Sequence, residues 1–136
     1  MDNRFTMKIG MLRSLTATVG LCLAASASAD PLTVNDAVYT EAQAESGEEL
    51  YKDNCLTCHD KKYFRPVLKR WNGQPLGLFF TVMSTSMPES NPGSLPDDQY
   101  ADILAYILSL SRYPAGDAEL DNSSDALNEI TIANRK

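Results

Sequence analysis

Cys55-Leu56-Thr57-Cys58-His59 constrains this chain more than any other stretch. Two thiols three positions apart, with a histidine directly after the second, meet the requirement for covalent attachment of a c-type haem. Each thiol can add across one vinyl group of a porphyrin, and the spacing suits a single helical turn. His59 then lies under the iron as the proximal ligand. A redox dithiol, half of a zinc site or a chance pentapeptide are the alternatives that the motif alone leaves open.

The chain has 136 residues, of which 43% are apolar, enough for one modest domain. Its first 29 residues are expected to be a cleaved export signal rather than part of the fold. Arg4, Lys8 and Arg13 form a basic start, Leu15 to Ala25 is an uncharged apolar run, and Ala27-Ser28-Ala29 supplies the small-residue cleavage site. The apolar run is too short to span a bilayer, which takes about 20 residues. An uncleaved anchor is the alternative. Cys22 lies in this run after Leu21, and a lipoprotein signal would need a small residue there. The mature chain therefore keeps only Cys55 and Cys58. Export predicts a periplasmic location, where an idle pair of thiols so close together tends to oxidise. Haem attachment accounts for the pair, the histidine and the export signal together.

Removing residues 1–29 takes three of the 12 basic and one of the 18 acidic residues, and leaves a net charge of −8. So acidic a chain excludes nucleic acid as a partner, because phosphates need a basic surface. Stable membrane insertion is not expected once the signal is removed. The charge is unevenly placed. Residues 52–70 hold Lys52, Lys61, Lys62, Arg65, Lys69 and Arg70 against Asp53 and Asp60, a net of +4 around the motif. Such a stretch can frame an exposed haem edge and steer an acidic partner to it. An ordinary solvated loop is the alternative.

Residues 30–44 are weakly patterned and read as an N-terminal arm. Ser46 and Glu49 have capping-box spacing, which predicts a first helix from Ser46 into the motif. Residues 60–74 hold few helical cues beyond Pro66-Val67-Leu68. Pro75 suits the start of a second helix, on which Leu76, Phe79, Phe80 and Met83 share one apolar face. Pro88, Pro92 and Gly93 predict a loop over 84–95. A third helix follows from Pro96-Asp97-Asp98, with Tyr100, Ile103, Leu104 and Ile107 as its apolar stripe. Residues 114–136 form a polar C-terminal tail with an apolar patch, Ile130 to Ala133, that can wrap the domain. The cytochrome-sized unit between arm and tail is thus 45–113.

His59 is the chain's one histidine, which excludes a bis-histidine haem within one molecule. Met83 and Met87 are the thioether candidates in the mature chain. Met83 lies on the apolar helical stripe, where methionine is more often packing. Met87 precedes Pro88 in a loop stiffened by two prolines, which holds a sulfur in place at small ordering cost, so Met87 is the preferred ligand. A histidine–methionine pair raises the reduction potential and fills the sixth position, leaving electron transfer as the haem's chemistry.

With these residues in place, residues 44–113 resemble a monohaem class I c-type cytochrome. The resemblance rests on the attachment motif, on Met87-Pro88 running into Pro92-Gly93-Ser94-Leu95, and on Ala105-Tyr106-Ile107-Leu108. It implies an all-α fold, three to four helices wrapped around one covalently attached haem c with its iron. It implies that the first helix crosses the last, with Gly47 and Tyr51 meeting Ile103 and Tyr106. It also implies that the Pro66 carbonyl accepts the ring N–H of His59, that Leu68 packs on the haem, and that Trp71 donates to a propionate. For Trp71 a place in the core is the alternative. Only six residues separate His59 from Pro66, fewer than in mitochondrial-type members, which implies a less covered haem edge.

Tyr113-Pro114-Ala115-Gly116-Asp117, Trp71-Asn72-Gly73 and Gln99-Tyr100-Ala101-Asp102 are similar to cytochromes that accompany quinoprotein (PQQ) alcohol dehydrogenases. The implied function is that of a periplasmic single-electron carrier and not an enzyme. Its redox partners would be a dehydrogenase donor and a terminal oxidase or other acceptor. A fixed haem subunit of such a complex is one alternative, and a haem enzyme or sensor with an open sixth position is another.

Overall fold

The computed structural model describes residues 30–136, so the export signal expected at 1–29 lies outside the described residues. Five helices follow in order: α1 (Glu41–Asn54), α2 (Phe64–Arg70), α3 (Leu76–Ser86), α4 (Asp97–Leu110) and α5 (Ser124–Leu127). Among the described residues there is no strand, only isolated bridges from Thr131 to Thr33 and to Pro75. The fold is all-α, as the resemblance implied.

The crossing of α1 over α4 sets the frame. Gly47 sits on the backbone of Asp102 and Ile103, where a Cβ would overlap the Asp102 carbonyl. Because glycine leaves that space free, the helices close far enough for Tyr51 and Tyr106 to meet edge to face at 5.3 Å and 65°. Ile103, Leu104, Ile107 and Leu108 of α4 are buried beside Tyr51. The predicted stripes on α3 and α4 are buried throughout.

Three boundaries differ from the sequence reading. α1 opens at Glu41 rather than Ser46, because Thr40 is the cap: its hydroxyl accepts from the Gln43 amide at 3.1 Å. Ser46 instead donates to the Ala42 carbonyl, and Glu49 pairs with Lys52 at 2.8 Å, so the capping-box residues face solvent within the helix. The last part of the expected arm is therefore helix. α2 forms where few cues existed, with Pro66 as its third residue, in the first turn where a missing N–H costs nothing. α3 continues to Ser86, so the loop starts at Met87, three residues later than expected.

The C-terminal segment is part of the core. Ile130 and Ile132 are buried, and main-chain bonds tie Thr131 to Leu32 and Val34 on one side. On the other side Leu76 donates to Ile130, and Gly73 and Gln74 bond Ile132. The buried Gln43 amide donates to the Leu120 carbonyl at 2.9 Å and accepts from its N–H at 2.7 Å. This clasp fastens the segment to α1.

Candidate haem site

The motif continues the last turn of α1. Cys55 and Leu56 donate to the Tyr51 carbonyl, each at 2.9 Å, and Cys58 and His59 donate to the Cys55 carbonyl. Both cysteines are free thiols, Cys55 half-buried and Cys58 exposed. Burial pushes the Cys55 thiol up to about 11, so it stays protonated near neutral pH. The Tyr51 hydroxyl donates to the His59 carbonyl at 2.7 Å and also reaches that of Asp60. The His59 ring lies 4.2 Å from the Tyr63 ring and 5.5 Å from Phe64.

A cavity of about 610 Å³ opens beside this turn, and Cys55, Cys58, His59, Met83 and Met87 all line it. Phe64, Ile103 and Ile107 give it apolar walls, and Pro88, Glu89 and Ser90 close one side. Its size is in the range of about 300–1,000 Å³ found for small-molecule and cofactor sites. Met87 caps α3, and its carbonyl accepts from the Tyr100 hydroxyl of α4 and from Gly93. The Met87–Pro88 peptide is cis. Met83 lies one turn earlier on α3 and is nearly buried.

The residues fit a haem attached through two thioethers. Two unlinked thiols, an imidazole and two thioether sulfurs share one apolar-walled cavity, and His59 Nδ1 is buried without a hydrogen-bond partner. Among the described residues no group of three or more His, Cys, Asp or Glu side chains could hold a metal ion, so no closed zinc site forms.

Three of the residues named from the sequence are placed elsewhere. None of Pro66, Leu68 and Trp71 lines the cavity. The Pro66 carbonyl does not accept from His59, whose Nδ1 has no partner. Pro66 sits within α2, where backbone carbonyls are engaged along the helix. Leu68 is fully buried in the core. Trp71 is half-buried with its ring edge to face against Phe79 at 5.2 Å and 89°. The six cations of residues 52–70 do not line the cavity either, and its charged lining is Asp53 and Glu89. Lys61 and Lys52 are drawn to Glu48, at 2.9 and 3.6 Å. Sequence reasoning missed Phe64 as a wall; the Tyr63-Phe64 pair four residues past His59 was the available signal.

No helix of the described residues is long and apolar enough to cross a membrane. No curated protein and no solved structure matches the chain. Residues 42–107 match the family model described as cytochrome C oxidase, cbb3-type, subunit III. The matched span runs from the second residue of α1 to Ile107 of α4 and so contains the motif, the cavity and the Met87 loop. The chain thus carries a monohaem c-type cytochrome domain, with one covalently bound haem c and its iron, and serves electron transfer rather than catalysis.

Proposed function

We propose that the protein is an exported, periplasmic single-electron carrier in which Cys55 and Cys58 hold the haem, His59 is the proximal ligand and Met87 the distal one. The observation that supports this most is the meeting of all four side chains in one cavity. The haem supplies one-electron chemistry between ferric and ferrous iron. The chain's own residues do the rest. Tyr51 fixes the main chain at His59, and Tyr100 fixes it at Met87. Phe64, Ile103 and Ile107 keep water from the cavity wall, which favours the less charged ferrous state.

The donor is proposed to be a dehydrogenase, with the PQQ-dependent type suggested by the Tyr113–Asp117 stretch, and the acceptor a terminal oxidase or another redox protein. Leu68 belongs to the buried core and Trp71 packs against it, with the Trp71 ring on Phe79 of α3. A second reading, a fixed haem subunit of a larger complex, draws on the oxidase-subunit description of the matched family.

Two measurements on the holoprotein test the proposal. Spectroelectrochemistry should show one reversible one-electron couple, and the ferrous form should not bind carbon monoxide. Rapid carbon monoxide binding would mean an open sixth position and would reject the carrier reading. Purification as a monomer favours the free carrier; purification only with a larger partner favours the subunit.

A further inference from the structure

A second cleft, of about 550 Å³, shares no lining residue with the haem cavity. It is lined by Arg65 and Lys69 of α2, by Ser111 at the end of α4, and by Tyr113, Asn134 and Arg135. No acidic residue lines it. Among the described residues none of its three cations has a carboxylate within 4.0 Å, because the ion pairs formed involve Lys52 and Lys61 only. In a chain with a net charge of −6, three cations from two distant segments converge here without a carboxylate partner among the described residues.

Helix capping explains one of them. Arg65 Nη2 donates to the Leu110 carbonyl at 3.3 Å, at the negative end of α4. Lys69 Nζ and the Arg135 guanidinium make no hydrogen bond to any described residue. Ser111 adds an independent sign of a missing ligand. It is only 6% exposed, and its Oγ is buried with no hydrogen-bond partner. Buried hydroxyls are normally paired, and a serine hydroxyl can turn to meet an acceptor.

We propose that this cleft binds a phosphate group carried on a larger molecule. Two guanidinium groups each match a pair of phosphate oxygens, Lys69 adds a point charge, and Ser111 adds a neutral donor. A carboxylate, with two oxygens and one charge, would leave most of these donors unused. The cleft far exceeds a bare phosphate ion, which leaves room for the body that carries it. A soluble phosphate ester and a phospholipid headgroup offer the same chemistry. The inference does not depend on the axial ligands of the haem.

The test uses the reduced holoprotein, its amide NMR spectrum titrated with inorganic phosphate against chloride at equal ionic strength. Saturable shifts are expected at Arg65, Lys69, Ser111 and Arg135, with binding weakened about tenfold or more in the Lys69→Gln/Arg135→Gln double variant. Ser111→Ala should weaken binding less, and Lys62→Gln, an exposed cation outside the cleft, should leave it unchanged. Phosphate-competed retention on phosphatidylglycerol but not phosphatidylcholine vesicles would assign the headgroup. Phosphate binding without retention would assign a soluble ester. Shifts that chloride reproduces, that fail to saturate, or that survive in the double variant would overturn the proposal.

Discussion

The hydroxyl of Tyr51 donates to the main-chain carbonyl of His59 at 2.7 Å, from a ring that is itself fully buried at the crossing of α1 and α4. One side chain therefore joins the helix crossing to the backbone of the motif. Tyr51→Phe keeps the ring contacts with Tyr106 and Phe64 and removes only the hydroxyl's bonds to the His59 and Asp60 carbonyls. The holoprotein should lose about 1 kcal/mol in chemical denaturation, with the slope unchanged. Tyr51→Ala should cost about 3 kcal/mol or more, because the cavity it leaves cannot close against two helices. Equal losses in the two variants would show that the hydroxyl, not the ring, carries the coupling.

Gly47 and Gly93 separate close approach from backbone conformation. An alanine at Gly47 gains about 1 kcal/mol in helix propensity, yet its Cβ would overlap the Asp102 backbone. Main chain cannot yield as a flexible side chain does, so the overlap wins and Gly47→Ala should destabilise by about 3 kcal/mol. At Gly93 the nearest atom to a Cβ is 3.7 Å away, and the strain is that of a φ of +72°. Gly93→Ala should cost about 1–2 kcal/mol. Thermal unfolding of both variants in the holo form checks the order.

Glu48 gives the acid limb of stability a defined sign. Its hydrogen bond from Lys61 holds its carboxyl below the usual range, helped by the charges of Lys52 and Lys61 and by the Tyr106 hydroxyl. A carboxyl lowered in the folded state contributes stability that is fully present above its unfolded value, 4.5, and is lost as pH falls through the lowered one. Glu48→Gln should therefore flatten the fall in denaturation midpoint below about pH 4.5 and change its shape little near neutrality. A variant with the wild-type acid slope would show that the Lys61 pair contributes nothing.

Met83 and Met87 both line the haem cavity, and one spectrum distinguishes them. In the oxidised holoprotein Met87→Ala should abolish the sulfur-to-iron charge-transfer band and lower the reduction potential. Met83→Leu, close in volume, should keep the band and cost less than about 1.5 kcal/mol. The reverse pattern would transfer the ligand role to Met83.

The motif and the two apolar stripes were legible because their information is local. Thiol spacing, and side chains three and four apart on α3 and α4, determine chemistry and burial without reference to distant residues. The start of α1 was not, since Thr40 and Ser46 are both able caps and the choice was made by burial of Gln43 against Leu120. The role of Ile130 and Ile132 was equally hidden. Thr131 between them is held by partners nearly a hundred residues away in the chain, at Leu32 and Val34, and they themselves by the turn before α3. The ion pairs of the basic stretch were hidden too, because Glu48, which takes up Lys61 and Lys52 in space, lies outside it in sequence. Pro66 was assigned from a pattern whose intervening loop is shorter here, and α2 occupies that place instead.

The most direct test of the account is the mass of the purified coloured protein after full denaturation. The account predicts a polypeptide heavier by one haem, with colour that stays on the chain through unfolding, and loss of both in a Cys55→Ala/Cys58→Ala variant. A chain with the mass of the bare polypeptide, or colour that extracts freely from it, would contradict the assignment of Cys55 and Cys58 as the attachment points.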